Sequence, residues 1–314
     1  MINPSQIDPS RTGFLRQRFI SELVSRFQVV RRNLVQLIGV DDVLGLQERK
    51  PLFNTWRYLN EEQKLQQFKQ WMKGQVNATI LRKATSSDAL LEQYIQAAYM
   101  KGADRSFKDS QGKPAKGKED FFTGGRAQFL RGSFTSPPNI ARVRLLASRA
   151  YTDLAGITDA MSQQITGILV DGMVRGLGPK QVASALANRV DKIGITRARA
   201  LARNETIRAH AEGVLDGLES LGVDKVGVAV ELDTAADYKV CQKCLRLRGI
   251  VLSIQEARGI FPVHGNCRCT PIPANVGEKT TGQIRSQQRI RAAIKASGIK
   301  GVRIAKRRPK GLLR

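Results

Sequence analysis

A chain of 314 residues is long enough for two modest domains with a core each, so the whole does not depend on the staples that very small scaffolds need. With 52 Lys and Arg against 27 Asp and Glu, the net charge is +25 and the pI about 10.5, a surplus that repels itself unless a polyanion or an acidic partner is near, nucleic acid being the default. Aromatic residues at 6% argue against an aromatic-rich all-β protein, and no apolar run approaches the roughly 18 residues of a membrane-spanning helix.

Met1 to Arg11 is polar, with two prolines and no apolar stretch of signal-peptide type, which predicts synthesis in a cytoplasm. From there the first hundred residues read as helical: Leu15, Phe19, Leu23, Phe27, Val30, Leu34 and Ile38 recur at steps of three and four, as a packed stripe requires. A second helix is expected from about Asn60, whose spacing to Gln63 resembles a capping box, through Leu65, Phe68, Met72 and Val76. A third carries Leu91, Tyr94, Ile95 and Ala98.

Residues 101–139 break the period with glycines, prolines and lysines and are expected to form a loop or insertion. The stretch holds Phe107, Phe121, Phe122, Phe129 and Phe134 among Lys113, Lys116, Lys118, Arg126 and Arg131, too many aromatics for a solvated linker. It either orders against a partner or folds back on its own domain. Helical period returns after Pro138 with Ile157, Met161, Ile165, Ile168 and Leu169, and again beyond Gly178-Pro179 with Val182, Leu186 and Val190. A longer helix is predicted from Thr196 to Leu221, ended by Gly222, then a short strand from Lys225 to Leu232 that opens a small β-rich module.

The fold class is therefore α+β and mainly α-helical. The expected segments are an N-terminal helical region at 1–100, the Gly/Lys/Phe-rich stretch at 101–139, a helical core at 140–222, the β-rich Cys/His module at 223–277 and a basic tail at 278–314. Lys279 to Arg314 contains twelve Lys or Arg and no acid. Its cations Arg285, Arg289, Arg291, Lys295, Lys300, Arg303, Lys306, Arg307, Arg308 and Lys310 are the candidate phosphate contacts. Ile290 and Ile294 allow a short basic helix, which Pro309 bars from continuing. A disordered solubilising arm is the alternative.

All four cysteines fall between Cys241 and Cys269, in the pattern Cys241-x-x-Cys244, nineteen residues, His264-x-x-Cys267-x-Cys269. Two residues between thiolates let a tight turn aim both at one ion, and a second ligand group about twenty residues on closes a tetrahedral site. If Arg268 lies in a strand, Cys267 and Cys269 project to one face. Five donors compete for four places, so either His264 is an outer neighbour or one cysteine is free. A site filled by protein groups leaves no place for an activated water, which reads as one structural zinc per chain. Cross-paired disulfides are the competing reading, disfavoured in a reducing cytoplasm. His210 has no ligand spacing and is expected to be an ordinary surface or packing residue.

Arg203-Asn204-Glu205-Thr206-Ile207-Arg208-Ala209, then Asp237-x-x-Val240-Cys241-x-x-Cys244, Gly249 and Pro262-x-His264-x-Asn266-Cys267-Arg268-Cys269, resembles the head-morphogenesis family of tailed bacteriophages typified by the Mu F protein. The resemblance covers roughly residues 90 to 275. That family usually has Arg-Thr-Glu where this chain has Arg203-Asn204-Glu205. The resemblance implies a minor head protein in the virion, at the head interior or portal vertex, assembled in the host cytoplasm, with the portal or major capsid protein as partner. The metal ligands it carries over are Cys241, Cys244, His264, Cys267 and Cys269.

With the tail added, the expected function is a non-enzymatic minor capsid protein that touches packaged double-stranded DNA without reading bases. Two other readings compete. A zinc-stapled nuclease of the His-Asn-His type is suggested by His264-x-Asn266, yet such chemistry needs more histidines than His210 and His264. A cellular zinc-ribbon protein that binds nucleic acid is suggested by the pI alone.

Overall fold

The computed structural model describes residues 8–46, 61–81, 89–110, 124–221, 230–235 and 239–274. They form a mainly α-helical α+β structure. The helices are α1 (Gly13–Leu34), α2 (Glu61–Gln75), α3 (Ala89–Ser110), α4 (Arg126–Thr135), α5 (Pro137–Val174), α6 (Pro179–Arg189) and α7 (Thr196–Ser220), followed by β1 (Val230–Asp233), α8 (Gln242–Leu247), β2 (Val251–Leu252), α9 (Ile254–Ala257) and β3 (Thr270–Pro273). Among the described residues no helix is long and apolar enough to cross a membrane.

The chain divides into two compact units. One takes the described residues of Arg18–Leu91 and Ala147–Ala202, the other those of Met1–Gln17, Glu92–Leu146 and Arg203–Arg314. In the first unit the stripe expected along α1 is the core: Phe19, Leu23, Phe27, Val30, Leu34 and Ile38 are all fully enclosed, as are Phe68, Ile80, Met161, Ile165, Leu169 and Leu186. Helices α1, α2 and α6 each widen into a π-helical turn, at Val35–Val40, Val76–Leu81 and Val190–Ile195. Two of these read Val-x-x-Ile-Gly-Val and Val-x-x-Ile-Gly-Ile; Gly39 of the first packs on Ala183 and Gly194 of the second on the ring of Phe27. The carbonyl of Ile80 accepts from buried Arg26 Nη1 at 2.8 Å, so a guanidinium satisfies backbone that the helix leaves unpaired.

In the second unit α7 is the central element, with every residue from Ala209 to Leu218 buried. It meets α3 at backbone distance. A Cβ on Gly213 would overlap the Tyr99 carbonyl, and one on Gly102 would overlap the His210 carbonyl, so only glycine fits at either place. Residues 101–110 belong to α3 and 126–135 to α4, so the period does not break where the composition does; residues 111–123, with Phe121 and Phe122, lie outside the described residues. Tyr99, Ala103 and Phe107 keep the four-residue step that the surrounding Gly and Lys obscure. Phe107 stacks on Phe129 with ring centroids 5.2 Å apart, which is the fold-back alternative for those two aromatics, whereas Phe134 is exposed.

After α7 the chain forms a three-stranded antiparallel sheet of order β2-β1-β3, with Val230 opposite Leu252 and Asp233 opposite Thr270. The strand expected at 225–232 is observed at its C-terminal end; residues 222–229 lie outside the described residues. Ser253 and Glu256 form a capping box at the start of α9. One apolar cluster joins Leu232, Leu247, Ile250, Leu252 and Phe261 of this module to Ile207, Val214, Leu215 and Leu218 of α7 and to Phe107 and Phe129. The module thus shares its core with the helices.

His210 lies inside this unit at 1% exposure. Its Nδ1 is 3.4 Å from Thr270 Oγ1, and its Nε2 has no hydrogen-bond partner among the described residues. Burial, with the positive charges of Arg105, Lys101 and Arg16, lowers its pKa to about 3, so the ring is neutral in the fold.

Two predictions follow from this packing. Gly213→Ala lowers stability by about 2–3 kcal/mol because α3 must move away, whereas Gly167→Ala on α5, where an added Cβ meets nothing within 4 Å, raises it by about 0.5–1 kcal/mol. Urea unfolding of the two variants checks this, and equal effects would contradict the close crossing. For His210, the unfolded ring takes a proton below its ordinary value of about 6.5 that the folded ring refuses until about 3. The wild type therefore loses stability relative to His210→Gln as pH falls through that window, by up to about 1.4 kcal/mol per unit. A stability difference constant between pH 7 and 4.5 would show that His210 titrates normally.

Candidate metal centre and its attachment to the long helix

Cys241 caps α8: its Sγ accepts from the Cys244 backbone N–H at 3.5 Å, so one short helical turn holds both thiols of the Cys-x-x-Cys pair on the same side. Across from them, residues 264–267 form a tight turn closed by the Cys267 N–H donating to the His264 carbonyl at 3.2 Å. Asn266 occupies the left-handed region of that turn at φ 64°, a conformation Asn tolerates better than most residues.

The two segments bring five donors together. His264 Nε2 stands 3.1 Å from Cys241 Sγ and 3.1 Å from Cys244 Sγ, and Cys244 Sγ is 4.0 Å from Cys267 Sγ. Two triads result, Cys241–Cys244–His264 and Cys244–Cys267–Cys269, each with its donor atoms within 4.8 Å of one another and with Cys244 common to both. Sulfurs on one tetrahedral zinc at about 2.3 Å stand roughly 3.8 Å apart, so the Cys244–Cys267 separation suits that coordination. These Cys/His groups are close enough to bind a metal ion. None of the four cysteines is in a disulfide.

Strand β3 begins at Thr270, so Arg268 is not in a strand as expected; the extended run ahead of β3 gives the same result, with Cys267 and Cys269 buried and Arg268 half-buried between them. His264 Nδ1 is 2.5 Å from the Gly265 carbonyl. A carbonyl only accepts, so Nδ1 carries the proton and the Nε2 lone pair faces the two sulfurs, the orientation a metal-ligating imidazole needs. Hydrogen bonds from the Cys244 and Cys269 thiols hold Cys267 well below the usual thiol range, and the same bond to Cys267 raises Cys244. One thiolate is therefore favoured and its neighbours stay protonated, so a cation entering the cluster displaces protons from the remaining thiols.

Two contacts join this centre to α7. Arg203 Nη1 donates to Asn266 Oδ1 at 2.6 Å, and the Asn266 backbone N–H donates to Asn204 Oδ1 at 3.3 Å. The two quoted motif ends, more than sixty residues apart in sequence, are thus in direct contact. Glu205 is buried and pairs with Arg208 of the same helix at 3.3 Å.

Farther along α7 lies a network that the residue pattern did not reveal. Arg258, in the turn after α9, reaches Glu212 at 2.9 Å, Asp216 at 2.7 Å and Glu219 at 2.5 Å, while Arg142 of α5 reaches Asp216 at 2.7 Å and Glu212 at 3.4 Å. The Tyr99 hydroxyl donates to Asp216 at 2.5 Å, and burial together with the Asp216 charge raises the Tyr99 pKa. Gly259, at φ 76°, turns its N–H to Glu212 Oε1 at 3.3 Å. The available signal was the row Glu212, Asp216, Glu219 at steps of four and three along an otherwise enclosed helix, which demands cations from elsewhere. The tail cations from Arg285 to Lys310 lie outside the described residues, as does the expected helix at Ile290 and Ile294.

Comparison with curated proteins gave no match, and comparison with solved structures gave none. A family model did match, over a segment that begins within α5 and ends within β3, taking in both motif ends and all five metal donors. Residues 163–272, about a third of the chain, match the model of the family described as Phage Mu protein F like protein, and it is this segment that is similar to that family.

Proposed function

We propose that the protein is a minor head protein of a tailed bacteriophage, a virion component assembled in the host cytoplasm that docks on the portal or the inner face of the capsid shell. The observation that carries this reading is the family match over residues 163–272, within which Arg203 and Asn204 meet Asn266 of the Cys/His turn. A Mu F-like segment implies capsid partners, and the portal and the major capsid protein are those it would engage.

The Cys/His cluster holds one zinc ion in a structural role, through four of Cys241, Cys244, His264, Cys267 and Cys269. When bound, the ion supplies cross-linking of the two turns. The protein works by binding and not by catalysis: His210 is enclosed and His264 faces two sulfurs, which leaves neither histidine placed to activate a water. The same placement counts against the His-Asn-His nuclease reading. The stretch from Lys279 to Arg314, with twelve cations and no acid, contacts packaged double-stranded DNA by counterion release, without base readout.

Elemental analysis of protein purified under reducing conditions is expected to give one zinc per chain, with thiols that react only after chelation. Because Cys244 belongs to both triads, Cys244→Ser is expected to lose the metal. Full zinc retention in that variant, or four freely reactive thiols in the wild type, would contradict the site. For the tail, removing residues 279–314 is expected to spare zinc and fold but weaken DNA binding. If about half of the tail cations meet phosphates, the slope of log affinity against log salt is near −5 in the full chain and much shallower in the truncated one. Equal slopes would rule out the tail as the DNA contact.

A further inference from the structure

We propose that Arg203 and Asn204 of α7 are positioning residues for the metal centre, setting its affinity by locking the turn that carries His264 and Cys267. The inference rests on reading the Cys/His cluster as a metal site. His264 and Cys267 are the first and last residues of one four-residue turn, so its conformation fixes the separation of two donors. Its third residue, Asn266, is held twice from outside the module: Arg203 Nη1 donates to its side-chain oxygen at 2.6 Å, and its own N–H donates to Asn204 Oδ1 at 3.3 Å.

The hold matters because, among the described residues, the tip of the turn is lightly packed. Gly265 and Asn266 are exposed, and an added Cβ on Gly265 meets nothing within 4 Å. A turn with an exposed glycine and a left-handed residue samples other conformations unless hydrogen bonds select one. The side chains at 203 and 204 are successive residues of a long helix, so they approach Asn266 from a rigid base. Groups hydrogen-bonded to a metal ligand typically change affinity by roughly 10–100-fold when removed, and because Arg203 and Asn204 act one residue farther out, through exposed Asn266, their effect falls at the lower end.

The chemistry at each position is specific. Position 204 must accept a hydrogen bond from a backbone N–H, which an amide oxygen or a hydroxyl does and a methyl does not. Position 203 must donate to a side-chain oxygen at long reach. The paired substitution at Asn266 isolates this second contact, because glycine keeps the left-handed backbone and removes only the acceptor.

The test measures zinc affinity of the full-length protein by competition with a chelator, together with the absorption spectrum of the cobalt(II)-substituted protein. Arg203→Ala and Asn204→Ala are expected to weaken zinc binding about tenfold and to shift the cobalt ligand-field bands, with thermal stability of the rest of the fold unchanged. Asn204→Asp, whose carboxylate oxygen keeps the reach of the amide oxygen, is expected to retain wild-type affinity, and Arg203→Ala combined with Asn266→Gly to be no weaker than Arg203→Ala alone. Wild-type affinity and spectrum in both alanine variants, with one zinc in the wild type, would overturn the inference and leave the metal site standing. A lowered melting temperature with an unaltered cobalt spectrum would also overturn it, showing a merely structural contact. Absence of zinc from the wild type would bring down the metal site and the inference together.

Discussion

Glu212 and Asp216, one turn apart on the enclosed part of α7, repel one another and lose most of their hydration, and Glu219 adds a third negative charge one turn on, so their burial calls for cations from other elements. Arg142 brings α5 to that row, Arg258 brings the turn that follows α9, and Tyr99 adds a hydroxyl from α3. Two guanidiniums against three carboxylates leave one negative charge over, and Glu219, the most exposed of the three, is the one that water can still reach. Replacing such a network with apolar residues often leaves stability unchanged or improves it. What it provides is register: a guanidinium that touches three carboxylates admits one placement of the Cys/His module along the helix.

The Cys/His cluster is built on that placement. Cys244, Cys267 and Cys269 belong to the same apolar cluster as Val214, Leu218 and Phe107, so the module is not a free-standing knuckle whose only core is an ion. Zinc binding in isolated peptides contributes roughly 10–16 kcal/mol because folding and binding are a single event there. Here much of the burial is supplied by helices, so the proposed metal would have a narrower task, cross-linking the Cys241–Cys244 turn to the His264–Cys269 segment. The ends of the module are thus held by different means, charge at Arg258 and, on the proposed reading, coordination at the cysteines.

The helical stripes were legible because burial on one face imposes a period that survives in sequence; Phe19 through Ile38 and Met161 through Leu169 are the clearest cases. The Cys/His donors were legible for a related reason, since coordination geometry limits ligand spacing to a few values. Residues 101–110 and 126–135 were misread as irregular because composition outweighed period: Gly102 looked like a breaker, yet it is a glycine that lets α3 touch α7. Contacts such as Arg203 with Asn266 and Arg258 with Asp216 left no local trace, because a pairing across forty to sixty residues has no spacing rule. Only the unmatched acids of α7 hinted that cations had to come from a distance.

That distinction bears on how a net charge of +25 should be understood. Within the described residues many arginines act on the chain itself: Arg142 and Arg258 on α7, Arg105 on Asp109, Arg126 on Asp104, and Arg26 on Glu22 and a backbone carbonyl. A guanidinium so engaged gives up a carboxylate partner before it can bind a phosphate, and that exchange offsets much of the attraction. The stretch from Lys279 to Arg314 has no acid within it to pair with its twelve cations. The proposed contact with DNA is therefore assigned to the tail, and Arg142 and Arg258 are better understood as the means by which the row Glu212, Asp216 and Glu219 of α7 is neutralised.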